Sequence, residues 1–188
     1  MAALIARYGE LRLRTSLTEP YEALCEAVVY QQLHAKAAAT IYARVAVQIG
    51  GGKFPEPARL LATSDEALRA TGLSRNKTAA LRDIARHARD GSLPTRAQSS
   101  KLNDAELIGR LTDIRGIGRW TVEMFLMFNL GRPDVLPADD LGVRKGFQNA
   151  YRKREMPAPK ALAAFGQRWA PYRTYAAFYL WRAADTAG

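Results

Sequence analysis

Residues 114–119 read Ile114-Arg115-Gly116-Ile117-Gly118-Arg119, and this stretch decides the fold. Two glycines flank one isoleucine, so the backbone can turn tightly between two helices, with positive φ tolerated at each glycine. A helix is expected directly after Gly118, leaving its first amides and the positive end of its dipole uncovered. A nucleic-acid phosphate fits such a position. Ile114 and Ile117 are the expected anchors to the core, while Arg115 and Arg119 bring positive charge beside the turn. Such a hairpin grips a backbone and reads no base sequence. An ordinary glycine-containing turn shares the local pattern, so the rest of the chain must decide between them.

Outward from the hairpin the texture is helical. Asn103-Asp104 opens a helix running to Leu111, and 76–89 carries Leu81, Ile84, Ala85 and Ala88 on one face. Pro20 starts a helix over 21–33; another spans 35–49, with Ala38, Ile41, Val45 and Ile49 together, and Gly50-Gly51-Gly52 stops it. Phe54-Pro55-Glu56-Pro57 reads as a linker, Ser64-Asp65-Glu66 as the cap of a short helix ending at Gly72, and 91–100 as a polar loop. Downstream, a long apolar helix reaches about Leu130 before Gly131-Arg132-Pro133-Asp134 breaks it. Helices follow Asp139-Asp140, Pro157 and Pro159, and finally Pro171. Period-2 alternation is absent, which predicts an all-α fold of roughly ten short helices.

The chain has 188 residues, enough for one domain or for two small lobes sharing a cleft. Lys plus Arg total 28 against 18 Asp plus Glu, a formal net charge of +10. DNA or RNA leads the partners such a balance implies, with a diffuse solubility charge as the blander reading. Cys25 is the only cysteine, which excludes an internal disulfide and a four-cysteine zinc or iron–sulfur site. Its apolar neighbours predict a buried, inert thiol. No segment suits a signal peptide, and none approaches the ~20 apolar residues of a membrane span. An intracellular protein is expected, in the cytoplasm or nucleoid if the source is bacterial, with no membrane partner.

A second signal is the loop Pro137-Ala138-Asp139-Asp140-Leu141-Gly142-Val143-Arg144. An aspartate at a helix start is usually an N-cap, and two adjacent ones allow one to cap while the other is exposed. Chemistry has its own use for such a group. Breaking a glycosidic bond leaves positive charge on the sugar ring, which a fixed carboxylate stabilises while orienting the attacking water.

Three blocks, with this loop, resemble the helix–hairpin–helix DNA glycosylase superfamily. They are Tyr30-Gln31-Gln32-Leu33-His34-Ala35-Lys36, Gly116-Ile117-Gly118-Arg119-Trp120-Thr121, and Arg168-Trp169-Ala170-Pro171-Tyr172-Arg173 through Trp181. The likeness is closest to the alkylation-repair branch, DNA-3-methyladenine glycosylase II. It implies a single helical glycosylase domain over 1–188, with a lobe around 21–110 and a hairpin and catalytic part at 104–150. The N- and C-terminal helices would complete a second lobe across a cleft.

The resemblance makes Asp140 the catalytic carboxylate and Leu33 the wedge that fills the gap left by a flipped base, flanked by Gln32 and His34. Trp120 and Trp181 would line the base pocket, with Met124 where a relative has an aromatic residue; Trp169 is expected in the core. Residues Arg115, Gly116, Ile117, Gly118 and Arg119 would hold the DNA backbone. The carbonyls of Thr112, Ile114 and Ile117 would bind a monovalent cation. No cofactor is otherwise required, and no iron–sulfur cluster is expected. Trp120 stands where lyase-competent relatives carry a Schiff-base lysine, which implies hydrolysis without strand cleavage. The expected partner is duplex DNA containing a damaged base, bound by a monomer. Deaminated or otherwise damaged bases are alternative substrates on the same fold. A non-catalytic damage-binding module would leave the Asp140 loop and the Gln32-Leu33 probe without a use.

Overall fold

The computed structural model describes residues 1–185. In chain order its helices are α1 (Ala2–Tyr8), α2 (Pro20–Tyr30), α3 (Ala35–Arg44), α4 (Pro57–Ala62), α5 (Asp65–Ala70) and α6 (Arg75–Arg89). They continue with α7 (Arg96–Ser99), α8 (Asp104–Thr112), α9 (Arg119–Met124), α10 (Leu141–Ala150), α11 (Pro159–Gly166) and α12 (Arg173–Asp185). Among the described residues there is no strand, and no helix is long and apolar enough to cross a membrane. The all-α expectation is borne out.

The chain divides into two compact units. One, the hairpin unit, is the continuous segment Leu17–Phe125; the other, the terminal unit, joins Met1–Ser16 to the chain from Leu126 onward.

In the hairpin unit, Leu24, Val28, Leu60, Leu68, Leu81, Ile84, Leu107 and Leu111 are fully or almost fully buried. Their spacing on α2, α6 and α8 is the helical period, so each helix turns one face inward. Starts are set by local chemistry. Ser64 and Ser74 accept the amides of Ala67 and Lys77, and Asn103 forms a reciprocal capping box with Glu106. Cys25 is fully buried, and burial pushes its thiol well above the ordinary range, as expected of an inert core thiol.

Several boundaries differ from expectation. The helix after Pro20 ends at Tyr30 because Gln32 takes a left-handed φ of 56°, which no α-helix accommodates. Residues Pro57–Ala62 are helical, with Pro57 filling the first turn where its missing amide costs nothing. The segment 91–100, expected as loop, holds α7, started by a Thr95/Gln98 capping box. Both long helices change character: α3 gives way to a π-helix at Val45–Ile49, and α9 to one at Phe125–Asn129. The Gly50 amide reaching the Val45 carbonyl at 3.2 Å is such a wider turn.

In the terminal unit, α10 lies against α12 at very short range. A Cβ on Gly146 would fall 1.8 Å from the Leu180 carbonyl oxygen. One turn earlier, a Cβ on Gly142 would fall 2.8 Å from Cδ1 of Trp181. Small residues at both positions therefore set the separation of the two helices. Trp169 sits half-buried in an aromatic cluster with Phe147, Tyr151 and Phe165, a packing role.

Candidate active site

The loop before α10 is pinned to the start of α12. Both oxygens of Asp134 bind the Arg173 guanidinium, Oδ1 at 2.7 Å from Nε and Oδ2 at 2.9 Å from Nη2, and Oδ1 also accepts the Arg173 amide. These bonds from Arg173 hold the Asp134 carboxyl below the usual carboxylate range. The Thr174 hydroxyl accepts the Val135 amide at 3.0 Å and donates to the Arg132 carbonyl at 2.7 Å. Pro137 is buried, and its carbonyl takes the Asp140 amide at 3.0 Å.

This rigid approach delivers Asp140. Its Oδ1 accepts the Val143 amide at 2.8 Å, making Asp140 the N-cap of α10. The same oxygen accepts the Trp181 indole N–H at 2.8 Å. Two donors on one oxygen fix the carboxylate's rotation. The neighbouring Asp139 is exposed, so of the paired carboxylates Asp140 does the capping.

Trp181 stands in a column of near-parallel rings. Its centroid lies 5.8 Å from that of Phe178, and Phe178 lies 5.6 Å from Phe128, with interplanar angles of 27° and 18°. The three rings, with Arg12 and Arg14, line a hollow of about 640 Å³ within the terminal unit. Phe128 and Phe178 were not singled out from the sequence. The available signal was Phe178 three residues before Trp181 on one helix, the spacing that puts both on one face.

The other predicted site residues lie in the hairpin unit. Gly116 has φ 82°, and a Cβ there would approach Ala80 Cβ to 2.8 Å, so glycine is required on both counts. Gly118 departs from expectation: it is the N-cap of α9 with φ −92°, and only Gly116 uses the left-handed region. What Gly118 provides is the missing side chain, with nothing near its Cβ position. Ile114 and Ile117 are buried, as anchors should be. Arg115 is exposed, whereas Arg119 is paired at 2.9 Å with the buried Glu123, which offsets part of its charge.

Trp120 is 46% exposed, and with Met124, Gln31, Gln32 and Tyr30 it lines a hollow of about 520 Å³. Leu33 is 40% exposed at the turn after α2, and His34 is the N-cap of α3. Thr112 ends α8, so its carbonyl lacks an intrahelical amide, and the Ile114 carbonyl takes the Ile117 amide at 3.1 Å.

Residues 25–171 match the family model of the HhH-GPD superfamily, described as base excision DNA repair proteins. The chain belongs to this superfamily. It is 42% identical over 186 residues to DNA-3-methyladenine glycosylase 1 of Schizosaccharomyces pombe, covering 98% of this chain and 82% of the relative. Among solved structures, a 3-methyladenine DNA glycosylase of the same yeast, in complex with abasic DNA, superposes with a TM-score of 0.87. It is 40% identical, and the match covers 99% of this chain and 91% of that one. A DNA-3-methyladenine glycosidase from Bacillus halodurans gives 0.89 at 40% identity, over 98% of this chain and 84% of that one. The family reading drawn from the hairpin, probe and loop motifs is borne out.

Proposed function

We propose that this protein is a monofunctional DNA glycosylase of the type II kind, hydrolysing the N-glycosidic bond of alkylated purines such as 3-methyladenine and 7-methylguanine in duplex DNA. The observation that carries the reading is the grip on Asp140, whose Oδ1 is held at 2.8 Å by both Val143 and Trp181. A carboxylate fixed in this way stabilises positive charge developing on deoxyribose as the base departs, and orients the water that completes hydrolysis.

A purine methylated at N3 or N7 is already cationic, so it leaves without a strong acid. An electron-rich ring, at Trp120 in the hairpin unit or at Trp181 in the terminal unit, favours such a base by roughly 0.5–2 kcal/mol through cation–π attraction. That modest preference suits a broad substrate range. Leu33 enters the vacated stack and offsets part of the unstacking cost of a few kcal/mol. Gly116 and Gly118 present backbone amides to a phosphate beside Arg115, with Ile117 anchoring the turn between them. The protein acts as a monomer, one wedge and one pocket addressing one lesion.

Trp120 occupies the position of the lyase lysine, and an indole forms no Schiff base, so the abasic product stays uncut. The carbonyls of Thr112, at the end of α8, and of Ile114 and Ile117, in the turn that follows, are hard oxygen donors of the kind that would hold a monovalent cation. The ion would add a fixed positive charge beside the phosphate.

The test is single-turnover release of both methylated bases from duplex DNA by the wild type and by Asp140→Asn. The expected result is release by the wild type and a loss of at least about a hundredfold in the variant, with DNA binding kept. Near-normal release by the variant would remove Asp140 from the chemistry; no release by the wild type would redirect the reading to deaminated bases.

A further inference from the structure

Helix α6 carries a stripe that touches both DNA-facing turns of the hairpin unit. Residues 77, 80 and 83 follow at intervals of three, which keeps them on one side of a helix. Lys77 lies at one end. Its ammonium donates to the carbonyl of Val29 at 2.7 Å and to that of Gln31 at 2.8 Å. Ala80 receives the close approach of Gly116, and the Asp83 carboxylate accepts the Arg115 amide at 2.9 Å.

The carbonyls held by Lys77 are those that end α2. The next residue, Gln32, has φ 56°, a left-handed region that strains a non-glycine residue. Such a conformation persists only where its surroundings enforce it. A cation between two carbonyls at a helix C-terminus does so, satisfying acceptors that have lost their amides and complementing the negative dipole end. Partial burial lowers the Lys77 pKa below its usual value. The Gln31 side chain closes the arrangement from the other side, donating to the Gly116 carbonyl at 3.0 Å and the Thr121 hydroxyl at 3.4 Å.

We infer that Lys77 is a positioning residue for base extrusion: by holding the Val29 and Gln31 carbonyls, it fixes the strained turn that presents Leu33 to DNA, in register with the hairpin. The inference rests on the reading of Leu33 as the wedge. It does not require Lys77 to touch nucleic acid. The charge is spent inside the protein, so its effect must pass through Leu33.

That dependence supplies the test, a double-mutant cycle of Lys77→Met with Leu33→Ala. The probe is a duplex bearing a tetrahydrofuran abasic analogue beside 2-aminopurine, whose fluorescence rises when the stack is opened. No bond is broken, so the measurement stands even if excision is never detected. Lys77→Met is expected to weaken binding to this duplex about tenfold and to blunt the fluorescence rise in the Leu33 protein. In the Leu33→Ala background it should cost less than about twofold, because no wedge remains to be positioned. An equal cost in both backgrounds, or none in either, overturns the inference. Should thermal melting show that Lys77→Met is unfolded, Lys77→Arg decides: it keeps a cationic donor and should retain the fluorescence rise, and its loss in a folded variant counts against the proposal.

Discussion

Asp140 is exposed to two demands that its neighbours reconcile. A helix needs its oxygen as a cap, and the proposed chemistry needs its carboxylate in one orientation; the Trp181 N–H on the same oxygen serves both. Trp181→Phe keeps a ring in the aromatic column but removes the donor. Its excision rate is expected to fall by about a hundredfold, with a melting temperature close to that of the wild type. A Phe variant as active as the parent would show that the indole contributes only its face. The aspartate was legible in the sequence, from a proline-fixed loop ending in paired carboxylates. Its partner's bond was not, because Trp181 is 41 residues away and only the packing of two helices brings it near.

That packing belongs to the scale of elements. Gly142 and Gly146 let α10 lie so close to α12 that side-chain carbon at either position would strike Trp181 or the Leu180 backbone. The preceding loop is tied to α12 through Asp134 and Arg173, whose side chains are 30% and 27% exposed. Bonds from Arg173 lower the folded-state pKa of Asp134 below its unfolded value of about 3.9. A depressed carboxyl stabilises the fold above its unfolded pKa and loses that contribution as pH falls through its folded pKa. Asp134→Asn should therefore cost about 1 kcal/mol at pH 7 by chemical denaturation, after allowance for solvent screening. The difference from wild type should shrink below pH 4; a constant gap down to pH 2 would contradict the assignment. Periodicity located α6, whose apolar face spans four turns, and the cap residues Asn103 and Asp140 located the starts of α8 and α10. It missed α4 and α7, whose six and four residues are too short to show a period, and it could not distinguish π from α turns at Val45 and Phe125.

For the whole molecule, a net charge of +10 is a statement about encounter with a polyanion. Affinity for undamaged duplex should fall linearly in a plot of log K against log salt. Four neutralised phosphates would give a drop of about a hundredfold between 50 and 200 mM salt, measured by fluorescence anisotropy. A flat plot would mean the charge is a diffuse solubility device. The order of synthesis adds a last consequence. The hairpin unit is one uninterrupted run, Leu17–Phe125, so the turn at Leu33, Lys77 and the hairpin are all synthesised before α12. The terminal unit waits for α12, and Asp140 receives its indole partner only with Trp181. The chain thus acquires its hairpin and the turn at Leu33 before it acquires the indole that orients Asp140.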